Sequence, residues 1–405
     1  MKYRAFGKTG FEVSALGLGA MRLPSLPLLP GTVDTKKAIR MIRHAVDSGI
    51  NYIDTAYIYH LGMSEKVLGM ALRDGYREKV HLVTKLPMIL VKETADFDRI
   101  LDEQLARLET DHIDTYLFHA MNDRHFGTVE RLGLLAKMEE ARAAGKIRFI
   151  GFSFHDTWPV FKKIVDHYSW DVTQIQYNYL DTTVQATTQG LEYAAAKGMA
   201  VVIMEPLKGG ILVNPPGEAR RIIRHSGIKK SPVELALRFL WDRPEVSVVL
   251  SGMGSDAMVS ENCGYADRAG PGCLEGAERA MLGEIVNIFN KTILVPCTGC
   301  SYCIPCPFGV NIPENFAILN QSNVPMRSIF DFGIKLVMRG GTYSQLVKDK
   351  EKLDRKRPNG AASLCVACGA CVPKCPQGIA IPQELVKGHE VLGKKKKASA
   401  VFGKE

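Results

Sequence analysis

Phe97–Phe118, FDRILDEQLARLETDHIDTYLF, holds the unit from which most of this chain is built. Apolar residues at 97, 100, 101, 105 and 108 repeat every three or four positions, which marks one buried face of a helix. The β-rich run after it ends near Phe118. Similar short runs end near Leu18, Ile53, Thr84, Gly151, Ile175, Ile203 and Val249, with helical patterns such as Val129–Ala144 between them. Gly145 closes that helix. Eight strand–helix alternations, roughly 25–45 residues apart, predict a parallel sheet with helical crossovers. Eight strands close a (β/α)8 TIM barrel, commonly of about 250 residues. The alternative, a doubly wound open sheet, lacks its dinucleotide fingerprint: Gly17-Leu18-Gly19 follows the first strand, but Arg22 stands where the third glycine belongs. A P-loop is missing too. The expected α/β fold is the barrel, followed by a smaller domain.

The 405 residues, 46% hydrophobic and 23% charged, exclude disorder and fibres. No apolar run approaches the roughly 18 residues of a membrane span. The start, Met1-Lys2-Tyr3-Arg4, lacks the apolar segment of a signal peptide. The expected address is cytoplasmic, away from membranes. Net charge is +9, of which +8 falls from Cys297 onward. All ten cysteines lie at or after Cys263, eight of them in two tight groups. Without an export signal, such groups point to metal ligands rather than disulfides.

Barrel enzymes carry their chemistry at the C-terminal strand ends. Asp54 and Tyr59 follow the second strand, Lys85 ends the third, His119 the fourth; Ser153 and Gln174 stand on the fifth and sixth. Singly, Tyr59 also fits aromatic packing, Lys85 a solvated loop and His119 a hydrogen-bonded core. Their occurrence at successive strand ends favours a site.

Over about residues 1–290 the chain resembles the aldo-keto reductase family. The likeness rests on Asn51-Tyr52-Ile53-Asp54-Thr55-Ala56 with Tyr59, Leu82-Val83-Thr84-Lys85, Leu101–Thr115 and Tyr116-Leu117-Phe118-His119. Tyr3-Arg4 with Gly7-Lys8-Thr9-Gly10 is similar to the hairpin that plugs the barrel bottom. The resemblance implies a catalytic tetrad of Asp54, Tyr59, Lys85 and His119, acting on a small carbonyl or alcohol with NAD(P)(H). Reduction of a carbonyl builds charge on its oxygen and needs a proton donor. Tyr59 is that donor; the Lys85 ammonium favours its phenolate, Asp54 holds Lys85 charged, and a neutral His119 orients the carbonyl.

The resemblance also maps cofactor contacts onto Ser153, Gln174, Met204, Leu207, Gly209, Ser251, Met253, Glu261 and Asn262. Phe154 replaces the asparagine usual after the serine, and Met204 the aromatic that covers the nicotinamide. Lys208-Gly209-Gly210 reads as a pyrophosphate loop or as an ordinary turn. No cation stands at Gly252, Met253 or Met258, where a 2′-phosphate would want one, so an NADPH preference is in doubt; Lys208 or Arg268 could substitute.

After the barrel come Cys297-x2-Cys300-x2-Cys303-x2-Cys306-Pro307 and Cys365-x2-Cys368-x2-Cys371-x3-Cys375-Pro376. Two quartets, each closing on Cys-Pro, match the ferredoxin pattern for two [4Fe–4S] clusters. Zinc is the alternative, but its motifs usually present separated pairs. The resemblance to dicluster ferredoxins implies crossed ligation: Cys297, Cys300, Cys303 and Cys375 on one cluster, Cys365, Cys368, Cys371 and Cys306 on the other. Helical patterns at Glu314–Asn320, Arg327–Arg339 and Ser344–Arg355 suggest the α-helical ferredoxin type. Anionic clusters account for the basic charge, and nucleic-acid binding is not expected. The division read here is 1–290 barrel, 291–392 ferredoxin-like domain and 393–405 basic tail.

Together the halves read as an oxidoreductase. A nicotinamide gives two electrons as hydride, whereas a cluster passes one. Three readings stay open: a carbonyl reductase whose clusters are structural or sense redox state; an enzyme whose clusters exchange electrons with a flavin or a redox partner protein; and a regulatory subunit whose barrel binds cofactor only.

Overall fold

The computed structural model describes residues 1–26, 29–323, 343 and 360–403. An antiparallel hairpin of β1 (Tyr3–Ala5) and β2 (Glu12–Ser14) opens the chain, and β4 (Ser25–Leu26) and β5 (Leu29–Val33) form a second hairpin after β3 (Leu16–Gly19). With β3, seven further strands build the barrel: β6 (Tyr52–Asp54), β7 (His81–Leu86), β8 (Ile113–Met121), β9 (Ile147–Phe154), β10 (Val172–Gln176), β11 (Ala200–Met204) and β12 (Val246–Ser251). They are all parallel and close in the order β3-β6-β7-β8-β9-β10-β11-β12. The expected eight strands are thus the observed eight, with ends extended by one to three residues.

Alternate side chains of these strands fill the barrel. Val83, Leu117, Val172, Val202 and Val248 pack there with Phe6 and Val13 of the first hairpin, all fully buried. Phe6 stands edge-on to His81, with ring centroids 4.9 Å apart, so the hairpin does plug the bottom. Gly7 lets it enter: a Cβ there would lie 2.4 Å from the Ala200 nitrogen, and its φ is +56°.

Helices cover the outside. The helix expected from Phe97 is Ala95–Leu108, burying Phe97, Ile100, Leu101 and Leu108 against the strands. It also buries Gln104, while Leu105 is only partly covered. The single helix expected over Val129–Ala144 is instead two, Asp123–Arg131 and Leu134–Ala143, parted where Gly133 takes a φ of +63°. Among the described residues, no helix is long and apolar enough to cross a membrane.

The chain divides into two compact units: Met1–Leu207 with Val233–Glu275, and Lys208–Pro232 with Gly276–Glu405. The position read from sequence as a boundary, residue 290, lies inside helix Gly276–Thr292, which packs on helix Gly217–His225 in the second unit. That unit has its own core, including Leu294, Val310, Ile312, Phe316, Leu319, Ile381, Leu385 and Val391. The helix expected at Glu314–Asn320 is Ile312–Ser322; those expected at Arg327–Arg339 and Ser344–Arg355 lie outside the described residues. The segment read as a basic tail contains helix Ala398–Phe402, packed on helix Ile381–Leu392, and Lys394 and Lys396 pair with Glu390.

Candidate functional site

Strand register brings the four expected catalytic positions to one end of the barrel. Asp54 ends β6 and Lys85 lies near the end of β7, 3% and 1% exposed. Lys85 Nζ donates to Asp54 Oδ1 and to the Thr55 carbonyl, both at 2.7 Å. Burial pushes the Asp54 carboxyl up and the Lys85 ammonium down, while the contact between them opposes both shifts. Such a pair is kept ionised by its bonds, not by solvent. Tyr59 begins the turn Tyr59–Gly62, in which His60 and Leu61 have positive φ. Lys85 Nζ lies 5.1 Å from the Tyr59 ring centroid. The His119 ring meets that of Tyr59 edge-on, centroids 6.0 Å apart. Burial, then the charges of Lys85, His155 and His125, hold His119 well below the usual imidazole range, so it is neutral.

A second layer of polar groups fixes Lys85 from behind. Glu65 Oε1 accepts from Thr84 Oγ1 at 2.7 Å and from Gln104 Nε2 at 2.6 Å. Gln104 Nε2 also donates to the Lys85 carbonyl at 3.1 Å, and its Oε1 accepts from the Tyr116 hydroxyl at 2.7 Å. Arg107 completes the group with Glu65, at 3.1 Å. Sequence reasoning missed Glu65 and Gln104. The signal was present: Gln104 interrupts the apolar face of its helix midway between Leu101 and Leu108. His125 and His155, which stand near His119, were missed as well.

The expected cofactor contacts divide. Ser153 and Gln174 are buried neighbours across β9 and β10. Ser153 Oγ accepts from the Ala120 N–H at 2.8 Å, and Gln174 Nε2 donates to Asp54 Oδ2 at 3.1 Å. Gln174 is therefore part of the Asp54–Lys85 group, and its Oε1 makes no hydrogen bond among the described residues. Met204 and Leu207 are half-buried in the first unit, whereas Gly209 falls in the second. There a Cβ on Gly209 would lie 2.1 Å from the Thr298 carbonyl oxygen, at a φ of +63°. After β12, Asn262 Nδ2 donates to Ser251 Oγ at 3.0 Å, Met253 is buried, and exposed Glu261 accepts from the Tyr265 hydroxyl. Arg268 pairs with Glu234 at 3.3 Å. Arg22 stands beside this loop, its Cγ 3.0 Å from where a Cβ on Gly252 would lie, and Arg40 pairs with Asp256 at 3.0 Å.

In the second unit, Cys297, Cys300, Cys303 and Cys375 line one hollow. Cys306, Cys365, Cys368 and Cys371 line another, which Cys303 also borders. Burial and the three neighbouring thiols push Cys303 up to about 12. Burial raises Cys371 too, with Cys365, Cys306 and Cys368 adding to it. Thiols crowded this way ionise together only around a cationic core, which suits iron–sulfur ligation. None of the ten cysteines is in a disulfide.

Comparison with known proteins agrees with both halves. A profile of the aldo/keto reductase family matches residues 15–269, and one of a 4Fe-4S dicluster domain matches residues 296–380. An L-galactose dehydrogenase from Arabidopsis thaliana is 29% identical over 284 residues, 65% of this chain and 87% of that protein. An NADH-specific methylglyoxal reductase from Escherichia coli is 29% identical over 243 residues, 54% of this chain and 73% of the other. Among solved structures, an aldo-keto reductase from Bacillus halodurans in its holo form superposes with a TM-score of 0.59 at 27% identity, covering 70% of this chain and 96% of that one.

Proposed function

The chain belongs to the aldo/keto reductase family and is an oxidoreductase; from that premise we propose that it interconverts a small carbonyl compound and its alcohol with a nicotinamide nucleotide. The observation that carries this is the buried Lys85–Asp54 pair beside the rings of Tyr59 and His119. The nucleotide supplies or accepts the hydride. Tyr59 gives its phenolic proton to the carbonyl oxygen, and the Lys85 ammonium stabilises the phenolate left behind. Asp54, held from its other oxygen by Gln174, keeps Lys85 charged and in place. Neutral His119 donates an N–H to the carbonyl oxygen and fixes it beside Tyr59.

Ser153 and the Gln174 Oε1 are suited to a carboxamide, and Met204 to a ring face. By the family resemblance, Leu207 would meet the pyrophosphate, and Ser251, Met253, Glu261 and Asn262 the adenosine. With Arg268 engaged by Glu234, the cations that could bear on a choice between NADH and NADPH are Arg22 and Arg40. In the second unit the two thiol sets would hold two [4Fe–4S] clusters in crossed ligation, for electron transfer, redox sensing or structure. The basic charge of that region suits such anionic groups. The relatives named for L-galactose and methylglyoxal support a small carbonyl or hydroxyl substrate.

Anaerobic titration with NADH and NADPH, with and without an aldehyde, tests the reading. Nucleotide oxidation that requires the aldehyde, one for one, with cluster absorbance unchanged, supports it. Bleaching of the clusters by nucleotide alone favours the second reading, in which a redox partner protein or flavin exchanges electrons with them.

A further inference from the structure

This inference rests on the carbonyl reading and adds a positioning residue to it. Tyr59 opens a turn of unusual backbone. His60, Leu61 and Gly62 follow it with φ of +50°, +56° and +86°, three residues in succession in the left-handed region. L-residues visit that region singly, because Cβ there crowds the following carbonyl oxygen. Such a run persists only where its surroundings hold it. Leu61 is 100% exposed, so its side chain anchors nothing. Thr55 Oγ1 and Ser64 Oγ, 2.8 Å apart, close the base of the loop.

Arg107 packs against the rest of it. Its guanidinium carbon stands 4.0 Å from the Tyr57 ring centroid, and Nη1 donates to the Tyr57 carbonyl at 3.3 Å. A Cβ on Gly62 would lie 3.0 Å from Nη1, so the guanidinium fills the space that a side chain at 62 would need. Nη1 also donates to Glu65 Oε2 at 3.1 Å, and Nη2 donates to Glu103. Glu103 in turn accepts from the Tyr57 hydroxyl at 2.7 Å. The grip therefore falls on both sides of Tyr59, at Tyr57 before it and at Gly62 and Glu65 after it. Through Glu65 it reaches Lys85 as well: Glu65 Oε1 accepts from Thr84 and from Gln104, and Gln104 holds the Lys85 carbonyl. Gln104 and Arg107 are one turn apart on helix Ala95–Leu108. One helix thus holds the turn of the proton donor and the strand of its ammonium partner together.

We propose that Arg107 is a positioning residue for proton transfer, fixing the Tyr59 hydroxyl relative to Lys85 and to the substrate oxygen while touching neither substrate nor nucleotide. What it supplies is shape as well as charge. A planar guanidinium reaches two carboxylates, a carbonyl and a ring face at once, and an ammonium of equal charge cannot. With that grip loosened, substrate still binds, but the donor is no longer held on the line of transfer. A misplacement of about 1 Å can cost about 10²-fold in rate.

The test uses the full chain, purified anaerobically, with 4-nitrobenzaldehyde as the carbonyl probe and NADH or NADPH as the reductant. Arg107→Lys keeps the charge and removes the fork. Its single-turnover rate at saturating aldehyde should fall by about tenfold to a hundredfold. The half-saturating aldehyde concentration and the nucleotide dissociation constant should stay within about twofold of wild type. The solvent deuterium isotope effect on that rate should rise, because transfer of the Tyr59 proton becomes the slow step. Gly62→Ala presses a methyl group on the guanidinium from the other side and should give the same pattern. An unchanged rate and isotope effect in Arg107→Lys overturn the proposal. A rate that falls only in step with the folded fraction, the isotope effect unchanged, assigns Arg107 to the fold and overturns it too. Should Arg107→Lys fail to fold, Gly62→Ala decides by the same readings. A wild type with no aldehyde-dependent oxidation of either nucleotide sinks the carbonyl reading, and this inference with it.

Discussion

A tyrosine hydroxyl at the rim of a barrel is a small target, but its removal is specific. Tyr59→Phe keeps the ring that meets His119 edge-on and deletes only the proton donor. Turnover should fall by roughly 10²–10⁴, the usual share of general acid–base catalysis, with nucleotide binding nearly intact. A variant keeping a tenth of wild-type turnover would show that Tyr59 is not the donor. At the barrel bottom, His81 is buried between the Tyr52 and Phe149 rings, and burial pushes it down to about 4. Its ordinary value is near 6.5, so between those limits the unfolded chain takes up a proton that the folded chain refuses, and stability falls as pH falls. From pH 7 to pH 5 this one group should cost about 2 kcal/mol. His81→Phe should lessen the loss of stability over that interval in denaturant titrations, and an unchanged pH dependence would refute the account. Asp54, Lys85 and His119 stand out in the sequence because they fall at or near strand ends, with Tyr59 five residues after Asp54. Glu65 does not, and Gln104 shows only as a polar break in the apolar face of its helix, with nothing in its position to say which end of the amide faces a partner.

Among the elements, alternation of apolar runs was enough to place eight strands, because a parallel strand buried on both faces leaves a continuous apolar signature. Helix limits were less secure. The apolar pattern over Val129–Ala144 continues through Gly133, and only the backbone shows that its positive φ divides the run. The turn Lys208–Gly210 is another case, since its glycines fit a phosphate loop and an ordinary turn equally well in sequence. In the structure the Gly209 backbone lies against Thr298, between Cys297 and Cys300. Gly209→Val should therefore displace the Cys297–Cys300 loop and lower iron content from about eight toward about four per chain. Iron and sulfide analysis of the purified variant measures this; full iron with unchanged spectra would show that the loop yields without cost.

For the whole molecule, the cysteine spacing announced a second domain, but not its extent. Residues 208–232 lie in sequence between two barrel strands and yet belong to the second unit, a membership that only folding reveals. Anaerobically purified protein should hold about eight iron and eight acid-labile sulfide per chain, with little zinc. Cys375→Ala should disturb the cluster of Cys297, Cys300 and Cys303, although it lies in the other cysteine run. Loss confined to the cluster of Cys365, Cys368 and Cys371 would show that each run serves itself. The first hollow is walled by residues 297 to 303 on one side and by Cys375 on the other. Seen from the ribosome, that sets an order of events: while residues 304–374 are being synthesised, three thiols of the first set wait without their fourth. With ligation crossed as proposed, the second set closes at Cys371 and the first only at Cys375, so full iron loading would wait for residue 375, and a message truncated just before that codon would leave the first set one thiol short.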